Sequence, residues 1–324
     1  MKMNLYLICS PSYDPYFNLA LEEYLLSLAE PNKIFLYLWQ NDHTVVIGRN
    51  QNPWVECRTE LLQSEGGKLA RRQSGGGAVY HDLGNLNFTF LCPEKEYDLH
   101  KNLSVIDHAC RYAGLSPAFS GRNDLLVDGK KFSGNAFFHT KGYVYHHGTL
   151  LIRSDIERLE RYLSPPKAKL ESKGISSVRS RVINLSQLTP ELNCNTMKSN
   201  MIQAFATVFG RLPIQLYLTE EEITTVELLS QKYSDHDWLF GKPFPFTCSI
   251  DGRLPLGTIQ LQLQVQNGII VDLQVYTDAI DHQIPYRIRQ ALCGCQFQLD
   301  AITQACRELD FCDDLCALIQ QQVL

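Results

Sequence analysis

The sequence predicts an α+β chain in two unequal units: a mixed β-sheet domain flanked by helices over residues 1–245, then a small α+β domain over 246–324. Three observations carry this. At 324 residues the chain is longer than one ordinary hydrophobic core requires. Stretches of helical period alternate with stretches of strand pattern along the first two thirds. In the last third, Ile259, Leu261, Leu263 and Val265 alternate with Gln260, Gln262, Gln264 and Gln266, and Asn267-Gly268 turns the chain into Ile269 to Tyr276. Asn-Gly between two such runs is a strong hairpin signal.

Taken in order, Leu5 to Ile8 reads as a strand, and Asp14-Pro15 supplies a helix cap followed by proline in the first turn. Phe17, Ala20, Leu21, Tyr24, Leu25 and Leu28 then repeat at helical spacing, which assigns Glu22 and Glu23 to a solvated face. Ile34 to Trp39 and Thr44 to Gly48 are two strands joined across Gln40 to His43, and Pro53 to Glu65 is one helix. Asn87 to Leu91 is a strand, Leu99 to Ala113 a helix ended by Gly114, and Leu125 to Val127 pairs with Lys131 to Phe138 across Asp128-Gly129. Tyr143 to Ile152 continues the sheet. Thr189-Pro190 opens a helix running to Gly210, and Glu220 to Lys232 is a further one. The turn-rich Tyr233 to Pro245 connects to the second unit, where helical patterns lie around Ile284 to Leu292, Leu299 to Leu309 and Asp313 to Val323.

Hydrophobic content of 44% and charged content of 20% are ordinary for a soluble globular protein, and a net charge of −5 argues against a nucleic-acid binder held by general basic charge. No apolar run approaches the roughly 18 residues of a membrane span. The N-terminus runs into Pro11 too soon for a signal peptide, so a cytoplasmic protein with no membrane partner is expected. The eleven cysteines are then expected as free thiols. Cys293, Cys295, Cys306, Cys312 and Cys316 lack the paired spacing of common zinc sites and read better as small core residues.

The chemistry concentrates in two stretches. The first is LARRQSGGGAVYHDLGNLNFTF, Leu69 to Phe90, where two arginines precede Ser74-Gly75-Gly76-Gly77. Consecutive glycines beside guanidinium groups favour backbone amides turned toward an anion over an ordinary tight turn between strands. The spacing fits neither a Walker A loop nor G-x-G-x-x-G. The second is GRNDLLVDGKKFSGNAFFHTKGYVYHHGTLL, Gly121 to Leu151. On residue chemistry alone Lys131 is a solvated strand lysine. Between Ser164 and Val182 a polar, basic segment with Pro165-Pro166 and Gly174 reads either as a surface loop or as a lid.

Together these blocks, RR-x-SGGGAVYHD-x-GNLN, GRNDL, DGKKFSGNA, HHGTLL and then KGISSVRSRVINL, resemble lipoate–protein ligases of the LplA type over essentially the whole chain. The resemblance implies the biotin/lipoate-ligase-like mixed-sheet fold with a C-terminal accessory domain. It also implies a two-step reaction: free lipoate and ATP give lipoyl-AMP, and the lipoyl group passes to a lysine ε-amine. The implied acceptors are lipoyl domains of 2-oxoacid dehydrogenase E2 subunits, or the glycine-cleavage H protein. Lys131 would contact the acyl carboxylate and α-phosphate, with Lys130 on the opposite face. Arg72, Ser74, Gly75, Gly76, Gly77, Ala78, Val79 and Tyr80 would hold the adenylate. Asn123 and Asp124 would lie near phosphates and Mg2+, with Asp124 as the metal ligand, while Ser133, Gly134, His147, Gly148 and Thr149 would line the same pocket. Lys173, Arg179 and Arg181 would belong to the lid. Where some relatives carry arginine this chain has Phe138, so the missing charge must come from Arg179 or Arg181, or the site is more apolar there. A Ser74-His81-Asp82 triad is discounted, since adjacent strand residues point to opposite faces. The rival enzyme class is an octanoyl- or lipoyl-transferase of the same architecture, working without ATP through a cysteine; none occurs between Cys110 and Cys194.

Overall fold

Asp14 starts the first helix by accepting from the backbone N–H groups of Tyr16 and Phe17, with Pro15 in the first turn where no intrahelical donor is needed. That helix, α1 (Pro15–Ser27), follows β1 (Asn4–Cys9) and precedes β2 (Lys33–Trp39) and β3 (Thr44–Ile47). Next come β4 (Lys68–Arg71), β5 (Val79–His81), β6 (Asn85–Pro93), β7 (Ala118–Ser120), β8 (Asp124–Val127), β9 (Lys130–Thr140), β10 (Tyr143–Leu151) and β11 (Ile214–Gln215). The last strands are β12 (Cys248–Leu254), β13 (Gly257–Gln266) and β14 (Ile269–Thr277). This computed structural model describes residues 3–120, 123–140, 142–164 and 181–323.

One eight-stranded sheet, ordered β11-β1-β2-β6-β10-β9-β8-β7, organises the larger unit. β1 runs parallel to β11 and β2, and the pairs from β2 to β7 are antiparallel, so the sheet is mixed. Every residue of β6 is buried, because helices cover both faces of the sheet. On one face, helices Leu99–Tyr112 and Cys194–Phe209 place Ile106, Met201 and Phe205 over Leu36, Phe88 and Phe90. On the other, α1 and helix Glu220–Ser234 place Leu21, Leu25 and Tyr233 over Phe35, Tyr37 and Tyr145. A small sheet, β4-β3-β5, lies apart from the large one. The C-terminal unit has its own core, with β12-β13-β14 packed on helices Ile284–Leu292, Leu299–Cys306 and Cys312–Val323. The Asn267-Gly268 turn joins β13 to β14, both residues having positive φ. Cys306 and Cys316 are buried in that core, and all eleven cysteines are free thiols.

Local expectations fail where a long-range partner intervenes. The helix expected over Pro53 to Glu65 is two short ones, Pro53–Glu56 and Thr59–Ser64, because Cys57 is extended and bridges to Leu163. β2 and β3 are not paired with each other but belong to different sheets, with His43 at φ 37° redirecting the chain between them. The helix expected from Thr189 begins at Cys194, where Asn193 and Thr196 form a reciprocal cap. Glu22, expected on a solvated face, is 2% exposed, since α1 is covered by the sheet on one side and by helix Glu220–Ser234 on another.

Candidate active site

A cavity of about 520 Å³ lies between the eight-stranded sheet, the small sheet and the C-terminal unit. Its floor is a row of residues crossing the large sheet. Trp39 on β2 faces Asn87 on β6, and Asn87 faces Thr149 on β10. Thr149 Oγ1 accepts from the Gly134 N–H on β9 at 3.2 Å, Gly134 pairs with Asp124 on β8, and Asp124 with Ser120 on β7. All six line the cavity. Five inter-strand spacings make this row about 24 Å long. The small sheet and its flanking turn supply the opposite wall through Val46, Arg72, Val79 and His81.

The two ends differ in chemistry. At the β8–β9 end, Lys131 Nζ lies 2.6 Å from Asp124 Oδ1, and the Arg181 guanidinium holds the other carboxylate oxygen. A β-bulge makes this possible. Leu125 pairs with Ser133 but Leu126 with Lys131, so Phe132 is inserted and strict alternation is broken. Lys131 and Gly134 therefore share the cavity despite opposite parity, while Ser133 is fully buried away from it. A Cβ on Gly134 would sit 2.9 Å from Lys131 Nζ. Lys130 is exposed. Asn123 is tied to Asn135, its carbonyl accepting from the Asn135 backbone N–H at 2.8 Å and Nδ2 at 3.1 Å.

At the β2–β10 end a buried chain of hydrogen bonds runs behind the floor. Glu22 Oε1 accepts from His147 Nδ1 at 2.8 Å and from the Thr89 hydroxyl at 2.7 Å. Ser74 Oγ lies 2.8 Å from His147 Nε2 and accepts from Arg72 Nε at 3.1 Å. Arg72 Nη2 donates to the carbonyls of Gly75 and Gly77 at 2.7 and 2.8 Å, so its guanidinium braces the glycine turn from inside. Burial lowers the Arg72 pKa to about 10, which leaves it charged at neutral pH. Ser74-His147-Glu22 has the connectivity of a nucleophile triad, yet Ser74 is fully buried, does not line the cavity and already receives the arginine. Its role is structural support. His81 and Asp82 do point apart, and Asp82 instead accepts from the Gly84 and Asp155 backbones.

The glycine turn is occupied by the protein itself. Gly76, at φ +90°, donates its N–H to the Ala279 carbonyl of the C-terminal unit at 3.0 Å, and a Cβ on Gly75 would lie 2.4 Å from that oxygen. Asn50 and Asn52 tie the adjoining loop to the His282 carbonyl and to Gln260. Phe138 stacks between Tyr145 at 5.2 Å and His282 at 4.9 Å, so the position supplies no charge but seats the C-terminal unit. Arg181 is the guanidinium at the polar end.

Of the residues expected at the site, Arg72, Gly76, Gly77, Ala78, Val79, Asn123, Asp124, Lys131, Gly134, His147, Gly148, Thr149 and Arg181 line the cavity. Ser74, Gly75, Tyr80 and Ser133 stand behind it, Tyr80 packing on Tyr162 in a separate cluster. Lys173 and Arg179 lie outside the described residues. Sequence reasoning missed Glu22, Trp39 and His81, as well as Ile280 of the C-terminal unit. A signal for Glu22 existed: Asn18, Glu22, Leu25 and Ala29 form a second helical stripe beside the apolar one.

Among the described residues no group of three His, Cys, Asp or Glu could enclose a metal ion. Two carboxylates line the cavity, Asp124 at the polar end and Asp278 of the C-terminal unit, whose Oδ1 accepts from the Thr258 N–H at 2.7 Å, and magnesium commonly takes one or two carboxylates with phosphate oxygens and waters. Asp124 fits that mode.

Both parts of the chain resemble known proteins. The lipoyl protein ligase A/B catalytic domain matches residues 14–206, and the bacterial lipoate protein ligase C-terminus matches 244–324. A lipoate-protein ligase A of Blochmanniella pennsylvanica is 39% identical over 94% of this chain and 96% of its own. One from Bdellovibrio bacteriovorus is 40% identical over 94% of this chain and 91% of its own. Among solved structures, P. falciparum LipL1 in complex with lipoate has a TM-score of 0.86 at 27% identity, covering 98% of this chain and 100% of that one. A lipoate-protein ligase A bound with ATP has a TM-score of 0.65 at 26% identity, covering 74% and 99%. With both parts matched and the relatives aligned nearly end to end, this chain belongs to the lipoate–protein ligase A family.

Proposed function

We propose that the chain is an ATP-dependent ligase that activates free lipoate as lipoyl-AMP and transfers the lipoyl group to a lysine of an acceptor lipoyl domain. The observation that carries this reading is the two-ended floor: an aromatic end at Trp39 and a Lys131–Asp124–Arg181 end, joined by one row across five strands. Such a floor suits an acyl chain and an adenylate laid end to end. The relatives named as lipoate-protein ligases, and the similar structures described with lipoate and with ATP, support the same reading.

In the first step a lipoate carboxylate oxygen forms a bond to the α-phosphorus as the bridging P–O bond breaks and pyrophosphate departs. In the second, the acceptor amine forms a C–N bond to the acyl carbon, the C–O bond to AMP breaks, and the amine loses a proton. Negative charge builds on oxygen in both. Lys131 and Arg181 place two cations at that end, and preorganised charge of this kind is usually the largest catalytic term. An arriving phosphate would compete with Asp124 for both of them, and the Asp124 carboxylate would help to hold magnesium. That ion would neutralise charge on the leaving pyrophosphate. Acceptors of this chemistry include E2 lipoyl domains and the H protein; one structural relative, from Thermoplasma acidophilum, is described together with its E2 lipoyl domain.

A transferase working through a cysteine thioester is disfavoured, because no cysteine stands among the described residues lining the cavity. The test is product analysis. Lipoate with ATP and magnesium should release pyrophosphate, and AMP should follow only when an apo lipoyl domain is added. Acyl transfer from a carrier protein without ATP, and no pyrophosphate with free lipoate, would establish the rival.

A further inference from the structure

His81 is 3% exposed and lines the cavity, and its Nε2 has no hydrogen-bond partner in the protein. Buried polar atoms are nearly always satisfied, so an unpartnered ring nitrogen on a residue that lines a cavity marks a place where a ligand can supply the partner. Which proton it carries is set by a chain of amides. Asn18 Nδ2 faces only acceptors: the carbonyls of Ser12 at 3.1 Å and Gln40 at 2.8 Å, and Asn41 Oδ1 at 2.9 Å. Two of these are backbone oxygens, which fixes the orientation of Asn18. Asn41 must then turn its oxygen to Asn18 and its Nδ2 to His81 Nδ1, 3.1 Å away. Asn87, bonded to Asn85, lies 3.5 Å from the same ring nitrogen, at the limit of a hydrogen bond. With the Asn41 amide aimed at it, Nδ1 accepts and the proton resides on Nε2.

The imidazole also stays neutral. Burial, with Arg72 and His147 beside it, pushes its pKa down to about 3. It stands edge-on to Trp39 at 6.1 Å, which places it at the aromatic end of the floor. Four strand spacings, about 19 Å, separate Trp39 from Asp124 along that row.

We propose that His81 is a specificity-determining residue: its fixed Nε2–H donor meets the far end of the acyl chain and selects an acid that carries an acceptor there. The proposal deepens the ligase reading and rests on it. A dithiolane sulfur can accept this hydrogen bond, weakly but in a dry site. A plain eight-carbon chain ends in a methyl group and leaves the buried donor unpaired. Sites built to hydrogen-bond a substrate discriminate against analogues lacking the group for that reason.

The experiment compares pyrophosphate release with lipoate and with octanoate, each with ATP, in the unaltered protein and in His81→Phe. The unaltered protein should favour lipoate in kcat/KM. Losing one such bond should lower the lipoate-to-octanoate ratio about threefold to tenfold, mainly through KM. A ratio unchanged by the substitution overturns the proposal and leaves the ligase reading intact, whereas no release with either acid from the unaltered protein overturns both. Imidazole nitrogen NMR on the unaltered protein makes the test independent of whether the variant folds. The Nε2–H form should be seen in the free protein, with a His81 resonance moved by lipoate and not by octanoate. An Nδ1–H form, or equal responses to the two acids, would overturn it.

Discussion

Glu22 and His147 stand 125 positions apart in the chain and share a buried hydrogen bond of 2.8 Å. It joins α1 to β10 across the sheet, and through Ser74 and Arg72 it extends to the glycine turn. The turn beside the cavity is therefore held from behind by a carboxylate on the first helix.

Glu22→Ala should release this brace. Leaving His147 Nδ1–H and the Thr89 hydroxyl without an acceptor in a dry interior is expected to cost roughly 2–3 kcal/mol. The urea midpoint should fall accordingly, and KM for the acid should rise. An unchanged midpoint would mean that water replaces the carboxylate and that the chain carries no load.

Lys131→Ala should fold normally and lose adenylation by about two to three orders of magnitude, the usual effect of removing one charge-stabilising donor. Lys130→Ala, at an exposed position on the same strand, should retain most of it. Pyrophosphate release by the two variants is the measurement. Equal rates would remove Lys131 from the chemistry.

Gly75→Ala probes the docking of the C-terminal unit. A methyl group there meets the carbonyl oxygens of Ile280 and Ala279 at 2.3 and 2.4 Å, so the backbone contact cannot persist as it stands. Amide exchange over residues 277–282 should become faster, and proteolysis within residues 241–247 should increase. Exchange identical to the parent would show that the segment yields without undocking.

Two buried imidazoles tie stability to pH. Burial pushes His81 and His146 down to about 3, with His147 contributing to both and Arg72 to the first. Each takes up a proton near pH 6.5 when unfolded but only near pH 3 when folded. Between those values the unfolded state binds more protons, so stability is intact above pH 6.5 and falls as the pH drops. At pH 5 the loss should be roughly 2 kcal/mol per imidazole. Urea unfolding at pH 7 and pH 5 measures it, and His81→Phe should remove about half. A flat profile would show that the two rings open to solvent before unfolding.

Much of this protein was decided locally and could be read locally. Asp14-Pro15, Asn267-Gly268 and the αL cap Gly210 act through their own backbone, so helix start, hairpin and helix end are legible without a fold. The glycine, Asn-Asp and lysine blocks identify the family because their residues are contiguous. What the tertiary structure alone decided are matters of partner and parity. Lys131 and Gly134 share a face only because a bulge at Phe132 spoils the alternation, and no local rule announces that bulge. Glu22 looks solvated until a sheet and a second helix close over it. His81 keeps its proton on Nε2 because Asn18 on α1 orients Asn41 in the turn after β2, and Asn41 aims its amide at Nδ1. Burial and hydrogen-bond direction belong to the assembled neighbourhood, and a one-dimensional pattern records neither.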